Sequence, residues 1–305
     1  MATKTATVAQ PEATEADAEP GRSRSISPTE HPRPARAADR TDESAVARFA
    51  TLDGMQLDVV GAGPAYTDRL GATGASYLLR AGGTNLLLDL GQGSFPRLTG
   101  LVPPESLDAI VVSHLHPDHF IDLVALRHYL RFEREPARVR VIGPEGLDVR
   151  LDALHDQPGF SAASLDVEPV AEGTFRVGGF ALEARRVTHT QSSFGYRVSM
   201  ADDPDGIGLA YSGDCGRVED LDPLVRPGDV LLTEVSFGPG PVPPGAQHLD
   251  APAVGDLATR VRASRVLLTH LQMGFDRDET LAIVRSRYDG PVELVEPGYR
   301  TTIGD

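Results

Sequence analysis

The chain has 305 residues, of which 40% are apolar, enough for a substantial buried core in one large domain or two smaller ones. The net charge is −15, and residues 51–305 carry −14 of it because the first 50 residues hold 7 basic and 8 acidic side chains. This acidity argues against a surface for long nucleic acid, which needs many Lys and Arg contacts, but a bound metal would still allow a small anionic substrate.

Residues 1–50 are predicted to form a disordered tail, because they are rich in Ala, Thr, Glu, Pro, Ser and Arg and show no apolar periodicity. The N-terminus lacks the apolar stretch of a signal peptide, and no apolar run approaches the roughly 18 residues that span a membrane. Cys215 is the single cysteine, which excludes an internal disulfide framework. We therefore expect a cytoplasmic protein without a membrane anchor.

Residues 51–305 are predicted to form one domain, and in its first half strands dominate the first part and helices the later part. Apolar runs bounded by turn residues indicate strands, and apolar spacing of three and four residues indicates helices. The predicted strands of this half cover 55–63, 76–80, 85–91, 107–113 and 138–144, with helices over 118–133 and 145–156.

The second half repeats this order, with strands followed by helices. The predicted strands cover 178–190, 194–200, 207–214, 229–237, 265–270 and 291–296, with helices over 250–263 and 276–288. We therefore predict an α/β fold built as a four-layer αββα sandwich, in which two sheets face each other and helices cover the outside.

Three of the nine histidines and an aspartate are concentrated in "SHLHPDH", directly after the strand predicted over 107–113. In extended chain, residues two apart point the same way, so His114 and His116 can reach one point. Pro117 suits the first position of a helix, which would let Asp118 and His119 reach a second point nearby. Imidazole and carboxylate are ligands for Zn, Mn or Fe, and paired metals are a recurrent hydrolytic arrangement.

Further ligands are expected at the ends of other predicted strands. His189 ends "EARRVTH", Asp214 ends "LAYSGD" and His270 ends "RVLLTH". Asp89 ends "NLLLDLG" in the same way. Each lies where a strand gives way to a loop, the usual place for functional residues on a rigid scaffold. Together with the histidine motif, they predict a metal site.

In this order, "SHLHPDH", the lone His189, "YSGD" and "LLTH" resemble the motif signature of the metallo-β-lactamase superfamily, over about residues 55–300. The resemblance implies the αββα sandwich with two divalent metal ions at one edge. The implied ligands of the first metal are His114, His116 and His189. Those of the second metal are Asp118, His119 and His270, with Asp214 bridging both and Asp89 supporting the site from behind the ligands.

The resemblance also implies a mechanism and a metal. Two divalent cations, of which zinc is the first expectation and manganese or iron the alternatives, lower the pKa of a bridging water so that hydroxide is available near neutral pH. No side-chain nucleophile is then needed. Cys215 is expected to be a bystander, since it points away from its neighbour Asp214 in extended chain. Because members of the family are often dimers, a homodimer is one assembly that the resemblance allows.

Two segments resemble the ribonuclease Z branch and its small phosphodiesterase relatives. "LLTEVSFG" places Glu234 in a glutamate position of that branch, and "QHLDAPAVGDLA" places His248 in a histidine position. A Glu–His pair could supply the proton that a departing alkoxide needs, so Glu234 and His248 join Asp118 as catalytic candidates. Thr233 stands where the branch has a histidine, and this departure weakens the prediction of a proton relay.

The leading hypothesis from the sequence is therefore a dinuclear metal-dependent phosphodiesterase acting on a small phosphodiester such as a cyclic nucleotide. A lactonase or thioesterase is the first alternative. A tRNA 3′-end nuclease is disfavoured, because the long basic arm of common bacterial ribonuclease Z is missing between residues 131 and 188. The alternative from another class is a non-catalytic metal-binding protein that keeps the fold.

Overall fold

Two sheets of seven strands each make up the centre of the computed structural model, which describes residues 54–304. The first sheet has the order β14-β1-β2-β3-β4-β5-β6. Its strands are β1 Met55–Gly61, β2 Ser76–Ala81, β3 Thr84–Leu88, β4 Ala109–Val111, β5 Val139–Gly143, β6 Leu165–Pro169 and β14 Arg300–Ile303. The strands β3 to β6 are parallel, whereas β14, β1, β2 and β3 pair antiparallel.

The second sheet has the order β13-β12-β11-β10-β9-β8-β7. Its strands are β7 Gly173–Val177, β8 Phe180–Arg186, β9 Phe194–Met200, β10 Leu209–Tyr211, β11 Val230–Glu234, β12 Arg265–Thr269 and β13 Val292–Leu294. The strands β10 to β13 are parallel, and β7 to β10 pair antiparallel.

Helices cover the outer face of each sheet. Those on the first sheet are Phe95–Leu98, Pro117–Phe120, Leu123–Glu133 and Leu147–Ala153, and those on the second are Ala251–Val261 and Arg277–Arg285. Short 3-10 helices occur at Pro104–Ser106, Ser161–Ala163 and Val218–Asp220. The predicted four-layer αββα sandwich is therefore confirmed.

Alternation along the strands explains why the central strands read as continuous apolar runs. In β3, Leu86 and Leu88 pack between the two sheets, whereas Leu87 packs under the helices of the first sheet. In β11, Leu232 faces the other sheet and Leu231 faces the outer helices. Because both faces of each central strand are buried, every position in it favours an apolar residue.

The prediction of one helix over 118–133 is wrong, because the segment divides into Pro117–Phe120 and Leu123–Glu133. A continuous helix would need the Asp122 N–H to donate to the Asp118 carbonyl. Instead, the Asp118 carbonyl accepts from the Ala75 N–H at 2.9 Å, and the Asp122 N–H donates to the Leu90 carbonyl at 3.1 Å. Strand-end loops thus take up the hydrogen bonds of the first turn and fix Asp118 in place.

The other predicted elements are present, most of them with shorter bounds, and the strand over 194–200 has the predicted bounds. The structure adds three strands that the sequence analysis does not predict. These are β6, β7 and β14, all of which lie at sheet edges and carry exposed polar residues. The predicted tail, residues 1–50, lies outside the described residues. Within 54–304, none of the helices combines the length and apolar character needed to cross a bilayer.

Candidate metal centre

The strand ends of both sheets bring the predicted ligands to one edge of the sandwich. Asp89 directly follows β3, and His270 directly follows β12. His114 and Asp214 come three residues after β4 and β10. The two sheets are joined here, because the Phe194 N–H donates to the Ser113 carbonyl at 3.0 Å. Side chains from distant parts of the sequence therefore meet on a rigid support.

Four of these side chains form a first cluster: His114, His116, His189 and Asp214. One potential ligand atom from each lies within 4.8 Å of all the others. His116 Nδ1 is 3.0 Å from His189 Nε2, and Asp214 Oδ2 is 3.7 Å from Nε2 of both His114 and His189. The arrangement matches the set that the sequence predicted for the first metal.

Asp118, His119, Asp214 and His270 form a second cluster by the same criterion. His270 Nε2 lies 3.0 Å from Asp118 Oδ2, and His119 Nε2 lies 3.3 Å from Asp214 Oδ1. Asp214 belongs to both clusters, as expected for a bridging ligand, because its Oδ2 lies 3.7 Å from His114 Nε2 in the first cluster and 3.5 Å from His270 Nε2 in the second. All seven predicted ligands are thus brought together.

Several buried ligand atoms in these clusters make no hydrogen bond within the described residues. They are Nε2 of His114, Nε2 of His119 and Oδ1 of Asp214. A buried polar atom without a partner costs about 1–3 kcal/mol, so such atoms are rare unless something else satisfies them. Their number, donor chemistry and convergence fit divalent metal ions with nitrogen and oxygen ligands.

Two serines set the tautomers of ligand histidines. The Ser113 hydroxyl donates to Asp89 Oδ2 at 2.7 Å, so it accepts from His114 Nδ1 at 3.1 Å. The Ser236 hydroxyl donates to a Glu234 oxygen and accepts from His270 Nδ1 at 2.9 Å. In both cases the proton lies on Nδ1, which leaves the Nε2 lone pair for a metal.

Asp89 lies behind the second cluster and contacts one of its histidines. Its Oδ2 lies 2.7 Å from His119 Nδ1 and also accepts from the Tyr211 hydroxyl at 2.6 Å. Its Oδ1 accepts from the Ser113 N–H at 2.6 Å. Asp89 is fully buried and has a φ of 58°, a left-handed conformation that side chains other than Asn and Asp rarely adopt.

We expect Asp89→Asn to weaken metal binding by about 10- to 100-fold, because one carboxylate oxygen that orients His119 becomes an amide donor. Asn tolerates the left-handed backbone, so the substitution tests the charge and not the conformation. Competition with a chromogenic chelator measures the affinity. An affinity equal to that of the wild type would show that Asp89 does not orient His119.

Gly91 and Gly74 allow the backbone of Asp118 to pack directly against the strand-end loops. A Cβ atom on Gly91 would lie 1.8 Å from the Asp118 carbonyl oxygen, and one on Gly74 would lie 2.6 Å from it. Neither contact is sterically possible, and both involve backbone that cannot rotate away. The two glycines therefore fix the position from which Asp118 and His119 reach the second cluster.

We expect Gly91→Ala to lower the free energy of unfolding by about 1–3 kcal/mol and to displace Asp118, since the added methyl must push backbone aside. The control is Gly179→Ala, where the nearest atom to the new methyl would be an ordinary 3.5 Å away. Thermal unfolding and metal content measure the effect. Equal melting temperatures and metal contents for the two variants would contradict the close packing.

The pKa values of the histidines differ between the clusters. Burial lowers the pKa of His114 well below its ordinary value, with His119 adding to the effect, and burial also lowers the pKa of His189. Burial would lower the pKa of His119 too, but the carboxylates of Asp214 and Asp89 hold it well above its ordinary value. The first cluster therefore favours neutral imidazoles, and the second concentrates negative charge that would stabilise a cation.

Glu234 and His248 form a hydrogen-bonded pair beside the second cluster. His248 Nδ1 lies 3.0 and 3.1 Å from the two Glu234 oxygens and 3.9 Å from Asp214 Oδ2. Glu234 is fully buried and also accepts from the Cys215 N–H at 2.7 Å and the Ser236 N–H at 3.2 Å. These partners occupy its lone pairs, so the carboxylate orients His248 and is a poor candidate for a metal ligand.

Thr233 and Cys215 take no part in the described clusters. Strand alternation places Thr233 on the opposite face of β11 from Glu234, where its hydroxyl donates to the Glu234 carbonyl at 3.2 Å. The hydrogen bond between Glu234 and His248 therefore does not depend on the residue at position 233. The Cys215 thiol is buried in the outer core and donates to the Arg217 carbonyl at 3.1 Å, and burial raises its pKa.

The supporting residues of the site were missed in the sequence. Ser113, Tyr211 and Ser236 each hydrogen-bond a carboxylate behind the ligands. The Gln247 carbonyl lies 2.7 Å from His189 Nδ1 and so fixes that ring as well. The only signal in the sequence is position, since each of these residues lies within three positions of a predicted site residue.

A family model described as "Beta-lactamase superfamily domain" matches residues 84–271, more than half of the chain. This range contains all seven predicted ligands together with Asp89, Glu234 and His248. The match therefore covers the edge of the sandwich at which the two clusters lie.

Relatives of the chain are found among bacterial proteins. "Uncharacterized protein ML1173" of Mycobacterium leprae is 32% identical over 237 residues, 73% of this chain and 80% of that protein. "Probable metallo-hydrolase YhfI" of Bacillus subtilis is 24% identical over 80% of this chain and 98% of that protein. A ribonuclease Z of Bacillus licheniformis is 25% identical over 60% of this chain and 76% of that protein.

Solved structures share the fold. The metallo-β-lactamase fold protein YhfI from Bacillus subtilis aligns with a TM-score of 0.71 at 21% identity, covering 82% of this chain and 99% of that one. A diphosphatase from the PhnP family aligns with a TM-score of 0.64 at 20% identity, covering 81% and 97%. With the family match and the relatives, these findings show that the chain belongs to the metallo-β-lactamase superfamily and is a metal-dependent hydrolase.

Proposed function

We propose that the protein is a dinuclear phosphodiesterase that hydrolyses a small phosphodiester such as a cyclic nucleotide, with zinc as the expected metal. The first and second clusters would each hold one ion, with Asp214 shared between them. The observation that carries the phosphodiester assignment is the pair formed by Glu234 and His248 beside the second cluster.

The chemistry of the pair suits a poor leaving group. Bound divalent cations would supply a water of lowered pKa and polarise the phosphoryl oxygen. His248 would then donate a proton to the oxygen that departs from phosphorus. Burial lowers the pKa of His248, but its hydrogen bond to Glu234 and the charge of that carboxylate raise the pKa above its ordinary value. The protonated, donating form therefore persists to higher pH than it would in an ordinary histidine.

The side chain of His248 is positioned to reach a substrate. Its Nδ1 is held by Glu234, and no hydrogen bond to its Nε2 is formed within residues 54–304. The side chain is 18% exposed, whereas that of Glu234 is fully buried. We assign the proton donation to His248 Nε2 and the orientation of the ring to Glu234.

Several observations favour a small substrate over long RNA. The interval that could hold an RNA-gripping arm, residues 131–188, contains strands β5 to β8 and the helix Leu147–Ala153. The body of the chain carries a charge of −14, which would repel a phosphate backbone. A ribonuclease Z among the relatives and a diphosphatase among the structures of the same fold support chemistry at a phosphate ester.

The test is a substrate panel on the zinc-loaded protein: bis-p-nitrophenyl phosphate, cyclic AMP, p-nitrophenyl acetate, a homoserine lactone and a precursor tRNA. We expect turnover of the first two and little of the rest. Manganese- and iron-loaded samples identify the preferred metal. Hydrolysis of the acetate or the lactone without turnover of either phosphodiester would contradict the proposal and favour a lactonase or thioesterase.

A further inference from the structure

A cavity of about 180 Å³ is lined by three arginines, Arg69, Arg97 and Arg277, and by Leu271, the residue that follows His270. Its wall includes Ala62, whose carbonyl accepts from the His270 N–H at 2.9 Å. The cavity is therefore separated from a predicted metal ligand by one layer of backbone. None of the three arginines belongs to the clusters described above.

The cavity is positive in a protein that is otherwise strongly acidic. Glu296 is the one carboxylate among the described lining residues, and it pairs with Arg277 Nη1 at 2.8 Å. Arg97 Nη2 donates to the Gly71 carbonyl at 2.8 Å, which holds its guanidinium at the wall. Arg69 makes no side-chain hydrogen bond or ion pair with other described residues. Since each guanidinium has five N–H donors, most donors around the cavity are uncommitted.

We propose that this cavity binds a phosphate group. The planar guanidinium matches phosphate oxygens with two parallel hydrogen bonds, and charged partners of this kind make the stronger hydrogen bonds in proteins. One buried water needs only about 10–15 Å³ of cavity volume. At about 180 Å³, the cavity therefore has room for a phosphate and part of the group that carries it. The residual charge, three cations against one carboxylate, suits a dianion.

The phosphate has two chemical sources. It is either a second phosphate of the substrate, placed next to the one being hydrolysed, or the phosphate of a separate small molecule that acts through the Ala62–His270 contact. The first source rests on the phosphodiesterase function proposed above, whereas binding itself does not.

The catalytic arm compares a dinucleotide with and without a 5′-phosphate, in the wild type and in the double variant Arg69→Ala/Arg277→Ala. The matched control is Arg260→Ala. Arg260 lies on the surface of the helix Ala251–Val261, where it pairs with Asp222. We expect the 5′-phosphate to lower KM about tenfold in the wild type and in the control, and not in the double variant. The kcat/KM for bis-p-nitrophenyl phosphate should be equal in all three, which shows that the metal centre is intact.

The binding arm measures the binding of inorganic phosphate by calorimetry on the same zinc-loaded proteins at constant ionic strength. It tests whether the cavity binds phosphate even if the protein turns over no phosphodiester. We expect one binding event, separate from any binding of phosphate at the metal centre, to be present in the wild type and Arg260→Ala and lost in the double variant. A loss of binding with no effect of the 5′-phosphate on KM would identify the separate molecule as the source. Identical isotherms for all three proteins, with no difference in KM, would overturn the proposal.

Discussion

We expect Asp214→Ala to remove metal from both clusters and to reduce hydrolysis by more than about a thousandfold. Asp214 is the one side chain that both clusters share, with Oδ1 3.3 Å from His119 Nε2 and Oδ2 3.7 Å from His114 Nε2. Its loss would leave each cluster with three histidine or aspartate ligands and no bridging charge. One lost electrostatic stabiliser costs about 100- to 1,000-fold in kcat, and here two cations would be affected.

Metal content by mass spectrometry and the rate on bis-p-nitrophenyl phosphate measure this effect. The control is Asp222→Asn, which removes the charge of an exposed aspartate that pairs with Arg260 on the surface. Circular dichroism checks that the Asp214 variant is folded. A folded variant that retains wild-type metal content would show that Asp214 is not a shared ligand.

We expect His248→Ala to lower kcat by about 100- to 10,000-fold on substrates with an alkoxide leaving group, the usual contribution of a general acid. The loss should be much smaller on bis-p-nitrophenyl phosphate, because p-nitrophenolate leaves without a proton. Metal content should not change, since Glu234 and His248 hold each other and lie outside the first and second clusters. The control is His155→Ala, a histidine that stacks on Phe160 far along the chain from the ligand motifs.

The ratio of the two losses separates general acid catalysis from a structural role. A structural role would reduce both rates equally. Glu234→Gln should move the alkaline limb of the pH–rate profile to lower pH, because Glu234 raises the pKa of His248 and the protonated form is lost as pH rises through that pKa. An unchanged limb would rule out the pair as the acid.

The ligands could be predicted from the sequence because they follow apolar strands. Asp214 and His270 end the runs "LAYSGD" and "RVLLTH", as the supporting Asp89 ends its own run, so their place at a sheet edge follows from strand geometry alone. The roles of Ser113 and Ser236 cannot be predicted from strand geometry in this way. Each matters only because its hydroxyl lies between a carboxylate and a ligand histidine that come from different strands.

The errors in the predicted secondary structure also arise from contacts between residues that are distant in sequence. The apolar spacing over 118–133 indicates one helix, but the Asp118 carbonyl is taken by Ala75, a residue distant in sequence. The edge strand β14, Arg300–Ile303, has little apolar pattern because only Ile303 is buried. Its strand conformation follows from pairing with β1, which a local pattern does not reveal.

The arginine-lined cavity was likewise invisible in the sequence. Arg69 lies in the loop between β1 and β2, Arg97 in the helix Phe95–Leu98 and Arg277 at the start of the helix Arg277–Arg285. Only the folded chain brings the three side chains to one cavity. A charge count shows an acidic body and averages this local positive region away. The fold therefore determines where a phosphate group could bind.

The proposed function requires two divalent ions, one held by each cluster, for hydrolysis. Its most direct test is to strip the protein with a chelator and to follow phosphodiester hydrolysis while zinc is added back in known equivalents. We expect no activity in the stripped protein and a rise that saturates at two ions per chain. Full activity without metal, or saturation at one ion per chain, would contradict it.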